Sequence, residues 1–122
     1  MRFMLIRRAD KDTEAGVPPS RDMIEAMTGY NEEMAHAGVF IDGVGLKPSS
    51  RGARVTITGA TPIVTDGPFA ETKELIAGFT MIEVPSLAAA IEWVKKWPAI
   101  DKGAEIEIRP LFGPEDFKEW TS

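Results

Sequence analysis

The sequence predicts a single α+β domain over residues 1–122, with an antiparallel sheet covered on one face by two helices. Two segments, RFMLIR and LIAGFTMIEV, are apolar at successive positions, as expected of central strands with two buried faces. Two other segments carry apolar residues at helical spacing behind a capping serine. A late segment, AEIEIRPL, alternates apolar and charged residues, which is typical of an outer strand.

Composition and charge exclude several kinds of site. The 122 residues are 43% hydrophobic, enough for one core that needs no metal or disulfide. Cysteine is absent and histidine occurs once, so no Cys/His zinc site can form, and we predict neither a metal nor a cofactor. The net charge of -5 opposes binding to nucleic acid. The apolar runs are strand-sized and the N-terminus lacks a signal-peptide pattern, so we expect a cytoplasmic protein with no membrane span.

The first half of the chain reads as strand, loop, helix and strand. RFMLIR is followed by the polar loop ADKDTEAGVPPS, whose Ser20 is a good N-cap. A helix is predicted from about Arg21 to Ala37, because apolar residues recur there at steps of four and three, with Gly38 as its C-terminal cap. Its inward stripe comprises Met23, Met27, Tyr30, Met34 and Ala37. VFIDGVGL is the next strand, with Asp42 on the same face as Phe40 and Val44.

The second half reads as three strands, a helix and an outer strand. ARVTIT, a short strand at Ile63 and Val64, and LIAGFTMIEV come first. Ser86 caps a helix that Pro98 closes, with Trp93 and Trp97 along its flank. The predicted inward stripe of this helix comprises Leu87, Ala90, Ile91 and Val94. AEIEIRPL follows with its isoleucines inward, and GPEDFKEW is a candidate short terminal helix.

This order of elements is that of a ferredoxin-like split β-α-β sandwich, with both helices on one face of the antiparallel sheet. The other face would be bare. Because the two central strands are apolar on both sides, that face would leave a large apolar patch in water, which is rare on monomers. We therefore expect two copies to pair sheet against sheet as a homodimer, a dimeric α+β barrel with cavities near its ends.

The segment TDGPFAETKE packs a turn signal, an aromatic residue and four charges between two strands. Asp66 is expected to form an Asx-turn, Gly67 to take a positive φ, and Pro68 to fix the exit of the turn. A purely structural role for Asp66 and a catalytic role are both open. Phe69 is interpreted first as a core plug, with a ligand platform as the alternative.

The charges after the turn lead directly into a central strand. If the chain is extended there, Glu71 and Lys73 share one face while Thr72 and Glu74 share the other. The pair on the first face is either an exposed ion pair or the polar floor of a pocket that holds a carboxylate and moves a proton.

Two candidate ligand-binding residues lie outside this segment. Tyr30 is expected in the core, with a hydroxyl that needs a partner or faces a cavity. Asp42 is either a half-buried carboxylate or merely a strand-end residue.

Five stretches together resemble the YCII-related proteins, and specifically their DGPF-motif subgroup. They are MRFMLI, YNEEMAHAGVF, GVGLKPSS, VTDGPFAETKELIAGF and EIEIRPL, and they cover essentially the whole chain. The resemblance implies a dimeric α+β barrel, and for some members a context beside extracytoplasmic-function sigma factors. It also implies an acid-base pair of a helix histidine and an aspartate after the second strand, which this sequence lacks. Met27 and Tyr30 occupy the helix face, and LKPS follows the strand.

Three hypotheses follow. The first is a dimer that binds an unknown small molecule, as a cofactor-independent lyase or isomerase in which Asp66 or Glu71 accepts a proton and Lys73 holds an anionic group. The second is a non-catalytic regulatory or protein-interaction module linked to sigma-factor signalling. The third is that the DGPF motif only specifies the hairpin and the dimer.

Overall fold

The structure, a computed structural model, describes residues 1–71 and 74–117. In chain order the strands are β1 (Arg2–Arg8), β2 (Phe40–Gly45), β3 (Ala53–Thr56), β4 (Ile63–Asp66), β5 (Ile76–Glu83) and β6 (Ile106–Pro110). The helices are α1 (Lys11–Glu14), α2 (Arg21–His36) and α3 (Leu87–Val94), with 3-10 turns at Ser49–Arg51 and Pro114–Phe117. No helix in these two ranges is long and apolar enough to cross a membrane.

The main sheet is antiparallel and has the strand order β2-β5-β1-β6. The segments predicted as central, β1 and β5, lie in the middle, and β6 lies at one edge as expected. This arrangement confirms the predicted α+β class and the ferredoxin-like topology. Strands β3 and β4 form a separate two-stranded hairpin between β2 and β5.

The core lies between the sheet and the helices. Phe3, Leu5 and Ile82 are buried on the helix-facing side of β1 and β5, where Phe3 pairs with Ile82. Tyr30 and Met34 of α2 close this core, as the helical stripe predicted. The hydroxyl of Tyr30 donates a 2.6 Å hydrogen bond to the carbonyl oxygen of Trp93, and its ring packs edge-on against Trp97 at 5.5 Å between centroids.

The opposite side of the sheet, here called the open face, is covered by no helix of the described residues. Its apolar side chains alternate with the buried ones along β1, β5 and β2. They are Met4, Ile6, Phe79, Met81 and Val44. Charged residues of the edge strands, among them Asp42, Glu107 and Arg109, share this face, since each pairs with one of the apolar residues.

Two of the predicted faces are wrong. A register shift between Phe40 and Asp42 places Phe40 opposite Ile82 but Asp42 opposite Met81, so the two residues lie on opposite sides of the sheet. A β-bulge inserts one residue and reverses the alternation, which a strict period of two cannot anticipate. In α3, Leu87 and Ile91 are exposed, and the helix packs through Ala90, Trp93 and Val94.

The error in α3 has a simple cause. Its sequence LAAAIEWV is apolar nearly all round, so spacing alone does not select the buried face. The tryptophans decide it: Trp93 and Trp97, expected along the flank, pack against the core cluster. Burial of such large rings removes more apolar surface from water than burial of Leu87 or Ile91 would.

The segment after β1, predicted as a loop, contains α1. Asp10 and Thr13 form a reciprocal capping box in which the Asp10 side chain accepts from the Thr13 backbone N–H at 2.9 Å. That hydrogen bond, with further contributions from Arg7, holds the pKa of the Asp10 carboxyl below its usual value. At the far end of α2, Gly38 takes the predicted left-handed conformation with φ 77°.

Replacing Tyr30 by Phe should lower the free energy of unfolding by about 1 kcal/mol, because the Trp93 carbonyl oxygen loses the Tyr30 hydroxyl and keeps the backbone N–H of Lys96 at 3.0 Å. Burial, with a smaller effect of Glu33, raises the pKa of Tyr30 from 10.0 to about 12. The folded state therefore holds this proton more tightly than the unfolded state does. The stability that this proton contributes is complete below pH 10.0 and is lost as the pH rises towards about 12.

Urea unfolding of the wild type and of Tyr30→Phe across this pH range checks both points. Subtracting the two curves removes the contribution of the lysines. A pH-independent difference would contradict the assignment of the titration to Tyr30.

Candidate functional site

The DGPF loop, residues 66–71, is held against the loop that follows β2. Gly67 donates its backbone N–H to the carbonyl oxygen of Gly52 at 3.1 Å. A Cβ on Gly67 would lie 1.7 Å from the carbonyl oxygen of Ser49, so no other residue fits there without moving the backbone. The expected positive φ of Gly67 is wrong; the glycine is required by this close approach, and the Gly67–Pro68 peptide bond is cis.

Ser49 joins the DGPF loop to α1. Its hydroxyl oxygen accepts from the backbone N–H of Phe69 at 3.0 Å and donates to Glu14 at 2.5 Å. The Ser49 backbone N–H donates to the other oxygen of the same carboxylate at 2.9 Å. Glu14 therefore holds in place the loop around Ser49, which lies 35 residues away in sequence. Through the Ser49 hydroxyl, that loop fixes the backbone of Phe69.

The ring of Phe69 contacts the side chain of Arg54. The guanidinium carbon of Arg54, on β3, lies 3.8 Å from the centroid of the Phe69 ring, close enough for a cation-π contact. The same guanidinium reaches a Glu71 carboxylate oxygen at 3.5 Å. Phe69 is half-buried and is not a member of the core cluster, so the interpretation as a core plug is wrong. About half of the Arg54 and Glu71 side chains remains exposed.

The remaining candidates are distributed differently. Asp66 ends β4, pairs with Ala53 and is exposed. Within the described ranges its carboxylate makes no hydrogen bond or ion pair, so the expected Asx-turn is not formed. Thr72 and Lys73 lie outside the described residues, and the Glu71–Lys73 pair therefore stays a prediction.

Tyr30 and Asp42 do not join the DGPF loop. Tyr30 lies in the helix-covered core, with its hydroxyl bonded to Trp93. Asp42 is exposed on the open face, where it accepts from the backbone N–H of Gly43 at 2.8 Å.

The residues that complete the cluster, Glu14, Ser49 and Arg54, escaped the sequence analysis. Glu14 belongs to a helix too short for periodicity to reveal, and Arg54 lies on a four-residue strand with no motif of its own. The sequence contains one signal for the position of Arg54. ARVT and IVTD flank a turn and pair as a hairpin, in which Arg54 faces Thr65, one residue before the DGPF motif.

Two cavities of about 460 and about 330 Å³ lie elsewhere, on either side of an ion pair between Arg7 and Asp101. The guanidinium of Arg7 makes two hydrogen bonds to the Asp101 carboxylate, at 2.6 and 3.2 Å, and a third to Asp10 at 3.1 Å. Hydrogen bonding to Asp101 keeps the pKa of Arg7 above its usual value. Trp97 also donates to Asp101, at 3.0 Å. These groups satisfy one another, and no DGPF residue lines either cavity.

Among the described residues, no three His, Asp or Glu side chains converge as metal ligands. Among the described residues, the cluster around Phe69 offers the Arg54 guanidinium and the Glu71 carboxylate, and Asp66 lies three residues before Phe69 in the chain. Such a set can bind an anion and exchange a proton with it.

The profile of the YCII-related domain matches residues 1–114. The chain belongs to this family. An uncharacterized protein of Rhizobium meliloti (strain 1021) is 37% identical over 67 residues, which are 54% of each chain, so this chain spans about half the length of that relative.

Among solved structures, the chain is similar to 5-chloro-2-hydroxyhydroquinone dehydrochlorinase from Burkholderia phenoliruptrix AC1100, in complex with 2,5-dihydroxybenzoquinone. The TM-score is 0.50 and the identity 14%, over 95% of this chain and 98% of the other. This likeness shows a shared fold.

Replacing Gly67 by Ala should lower the free energy of unfolding by about 1–3 kcal/mol or more, because the new methyl group overlaps the Ser49 carbonyl. Gly29 provides the matched control, since a Cβ there meets nothing within 4 Å and the site is inside α2. Gly29→Ala should raise stability by up to about 1 kcal/mol. Urea unfolding measures both, and a Gly67→Ala variant as stable as the wild type would show that the two loops do not pack in this way.

Proposed function

We propose that this protein is a homodimer that binds a small molecule beside the DGPF loop and acts on it as a cofactor-independent lyase or isomerase. The observation that carries the proposal is the cluster of Arg54, Phe69 and Glu71, on a loop that Ser49 and Glu14 hold in place. The hydrogen bonds of Ser49 to Glu14 and Phe69 and the close approach of Gly67 to Ser49 fix this loop, and with it the backbone that carries the Phe69 ring.

The homodimer is supported by surfaces that a single chain leaves in water. The open face carries five apolar side chains, four of them on the two central strands, and no described helix covers them. Every residue of β3 and β4 is exposed as well, including the directly paired Val55 and Val64. An isolated two-stranded hairpin is only marginally stable in water, so a partner that covers it and the open face accounts for both.

Dimerisation would also supply a pocket. In one chain the two cavities lie away from the DGPF loop, while the loop itself follows directly on the exposed hairpin. A second subunit placed over the open face would create a cleft at the rim, near the point where the hairpin leaves the sheet. Ligand sites often lie at such interfaces.

In this cleft Asp66 or Glu71 accepts the proton and Lys73 holds an anionic group of the ligand. Asp66 has no competing partner among the described residues, which leaves its carboxylate available as a base. Glu71 already has a partner, since its carboxylate lies 3.5 Å from the Arg54 guanidinium. The structural neighbour, a dehydrochlorinase bound to a small oxygen-rich ring compound, supports chemistry of this general kind.

The exposed apolar hairpin favours a second candidate, a regulatory module that binds another protein, linked to sigma-factor signalling. On this alternative, Val55, Ile57, Ile63 and Val64 contact a different protein and not a second copy. Cross-linking under native conditions separates the two, because recovery of the self-dimer alone favours the first candidate.

Replacing Met81 by Glu should convert the dimer to a monomer, because it puts a charge in the middle of the open face. Ile24→Glu is the matched control: it introduces the same charge at an exposed apolar residue of the outer surface of α2 and should leave the dimer intact. Sedimentation equilibrium measures both. A dimeric Met81→Glu protein would mean that the open face is not the interface.

The double replacement Glu71→Gln and Lys73→Met should abolish ligand binding and leave the dimer folded, because it removes both charges from the proposed site. Glu74→Gln alters the next exposed carboxylate and serves as the control. Thermal-shift screening of small organic acids reports binding, and sedimentation reports the dimer. Equal ligand-induced shifts in the wild type and the double variant would remove this site.

A further inference from the structure

We propose that Arg54 is the anchor for the ligand's anionic group, and that the ligand class is a small planar carboxylate which pairs side-on with the guanidinium above Phe69. This inference rests on the proposed function and names the substrate class for it. Arg54 is a second binding residue in addition to the proposed Lys73, and it is distinct from the proton-transfer groups Asp66 and Glu71.

The first support is the unused donor capacity of Arg54. A guanidinium carries five N–H donors in a planar fork. Within the described residues, the side chain of Arg54 has a single polar contact, to Glu71 at 3.5 Å, which is the outer limit of a hydrogen bond. Half of the side chain is exposed. By contrast, Arg7 directs its guanidinium to Asp101, Asp10 and a carbonyl oxygen at 2.6 to 3.2 Å, as a structural arginine does.

The second support is preorganisation. The guanidinium carbon of Arg54 lies over the Phe69 ring, 3.8 Å from its centroid, and this cation-π contact restricts the positions that the donor fork can take. Phe69 is fixed through its backbone N–H to Ser49, which Glu14 holds, while the adjacent Gly67 packs on the Ser49 backbone. A donor fork that is already oriented loses less entropy on binding than a free surface arginine.

A third consideration is the local charge. The chain has a net charge of -5, and the segment 47–54, KPSSRGAR, contains Lys47, Arg51 and Arg54 and no acidic residue. In the fold, Glu14, which binds Ser49, and Glu71, which lies beside Arg54, offset part of this positive charge, so an anion needs directed donors as well as charge to bind here. Charge alone does not distinguish the three residues, but only Arg54 among them has an aromatic ring beneath it in the described structure.

A carboxylate fits this geometry better than a phosphate does. Its two oxygens lie in one plane and match two parallel N–H donors of one arginine. If the carboxylate is conjugated to a ring, that ring continues in the plane of the guanidinium, alongside the hairpin. A phosphate can pair with the same two donors, but its further oxygens need donors in other directions, which the planar fork of a single arginine does not supply.

The test is an NMR titration of the full-length protein with benzoate, its neutral analogue benzamide, and inorganic phosphate. Benzoate should shift the Arg54 side-chain N–H signals and the Phe69 amide signal together, and should bind at least about tenfold more tightly than either other probe. Arg54→Gln should weaken benzoate binding about tenfold or more, and Arg54→Lys by a similar factor, because the ammonium lacks the fork.

Arg51→Gln is the matched control, since it removes the same charge from the same segment at an exposed residue. Less than about a twofold change is expected, because no ring orients Arg51. Equal losses in the Arg51 and Arg54 variants would show attraction by general charge and overturn the proposal. Phosphate binding as tightly as benzoate, or no saturable benzoate binding at all, would also overturn it.

The variants distinguish a failure of the Arg54 proposal from a failure of the proposed function. If benzoate binding survives in Arg54→Gln but is lost in the Glu71→Gln, Lys73→Met variant, the site stands and the anchor is wrong. If binding depends on Arg54 but is unchanged by the double variant, Arg54 is the anchor, and Glu71 and Lys73 are not part of the site.

Discussion

The pairing of β1 with β5 is the constraint on which the rest of this structure depends. These two strands form the middle of the sheet, and each carries apolar side chains on both faces. The helices cover one face, where Phe3, Leu5 and Ile82 are buried. Because strands alternate, burying that face necessarily directs Met4 and Met81 to the other. The same pairing that makes the core therefore creates the open face.

The position of the candidate site depends on the segment inserted between β2 and β5. The hairpin of β3 and β4 does not join the main sheet, so its position depends on the loops at its two ends. Those loops are held together by the contact of Gly67 with the Ser49 backbone and by the Glu14 carboxylate. The DGPF motif is thus a joint between the hairpin and the domain, and the Arg54–Phe69 stack lies at that joint.

Two clusters of charge among the described residues differ in how fully their members are paired. Around Arg7, Asp101 and Asp10 the charges are mostly buried or bonded to one another at short distances. Around Phe69 the charges are exposed, loosely paired and placed on a fixed loop. A stabilising network satisfies its own members, whereas a binding site retains capacity for a ligand. This contrast favours the DGPF loop as the site, although the two cavities described above adjoin the Arg7 network and not this loop.

The sequence by itself determined the fold class, the central and outer strands, the extent of α2 and the burial of Tyr30, because these depend on local periodicity and capping. It also indicated the family, through the segment that contains the DGPF motif. Only the tertiary structure decided the contacts of Gly67, the ring beneath Arg54, the bonding of Ser49 to Glu14, the side of the sheet on which Asp42 lies and the face that α3 buries. These depend on residues far apart in the chain, on a bulge and on competition between apolar faces, none of which leaves a periodic signal.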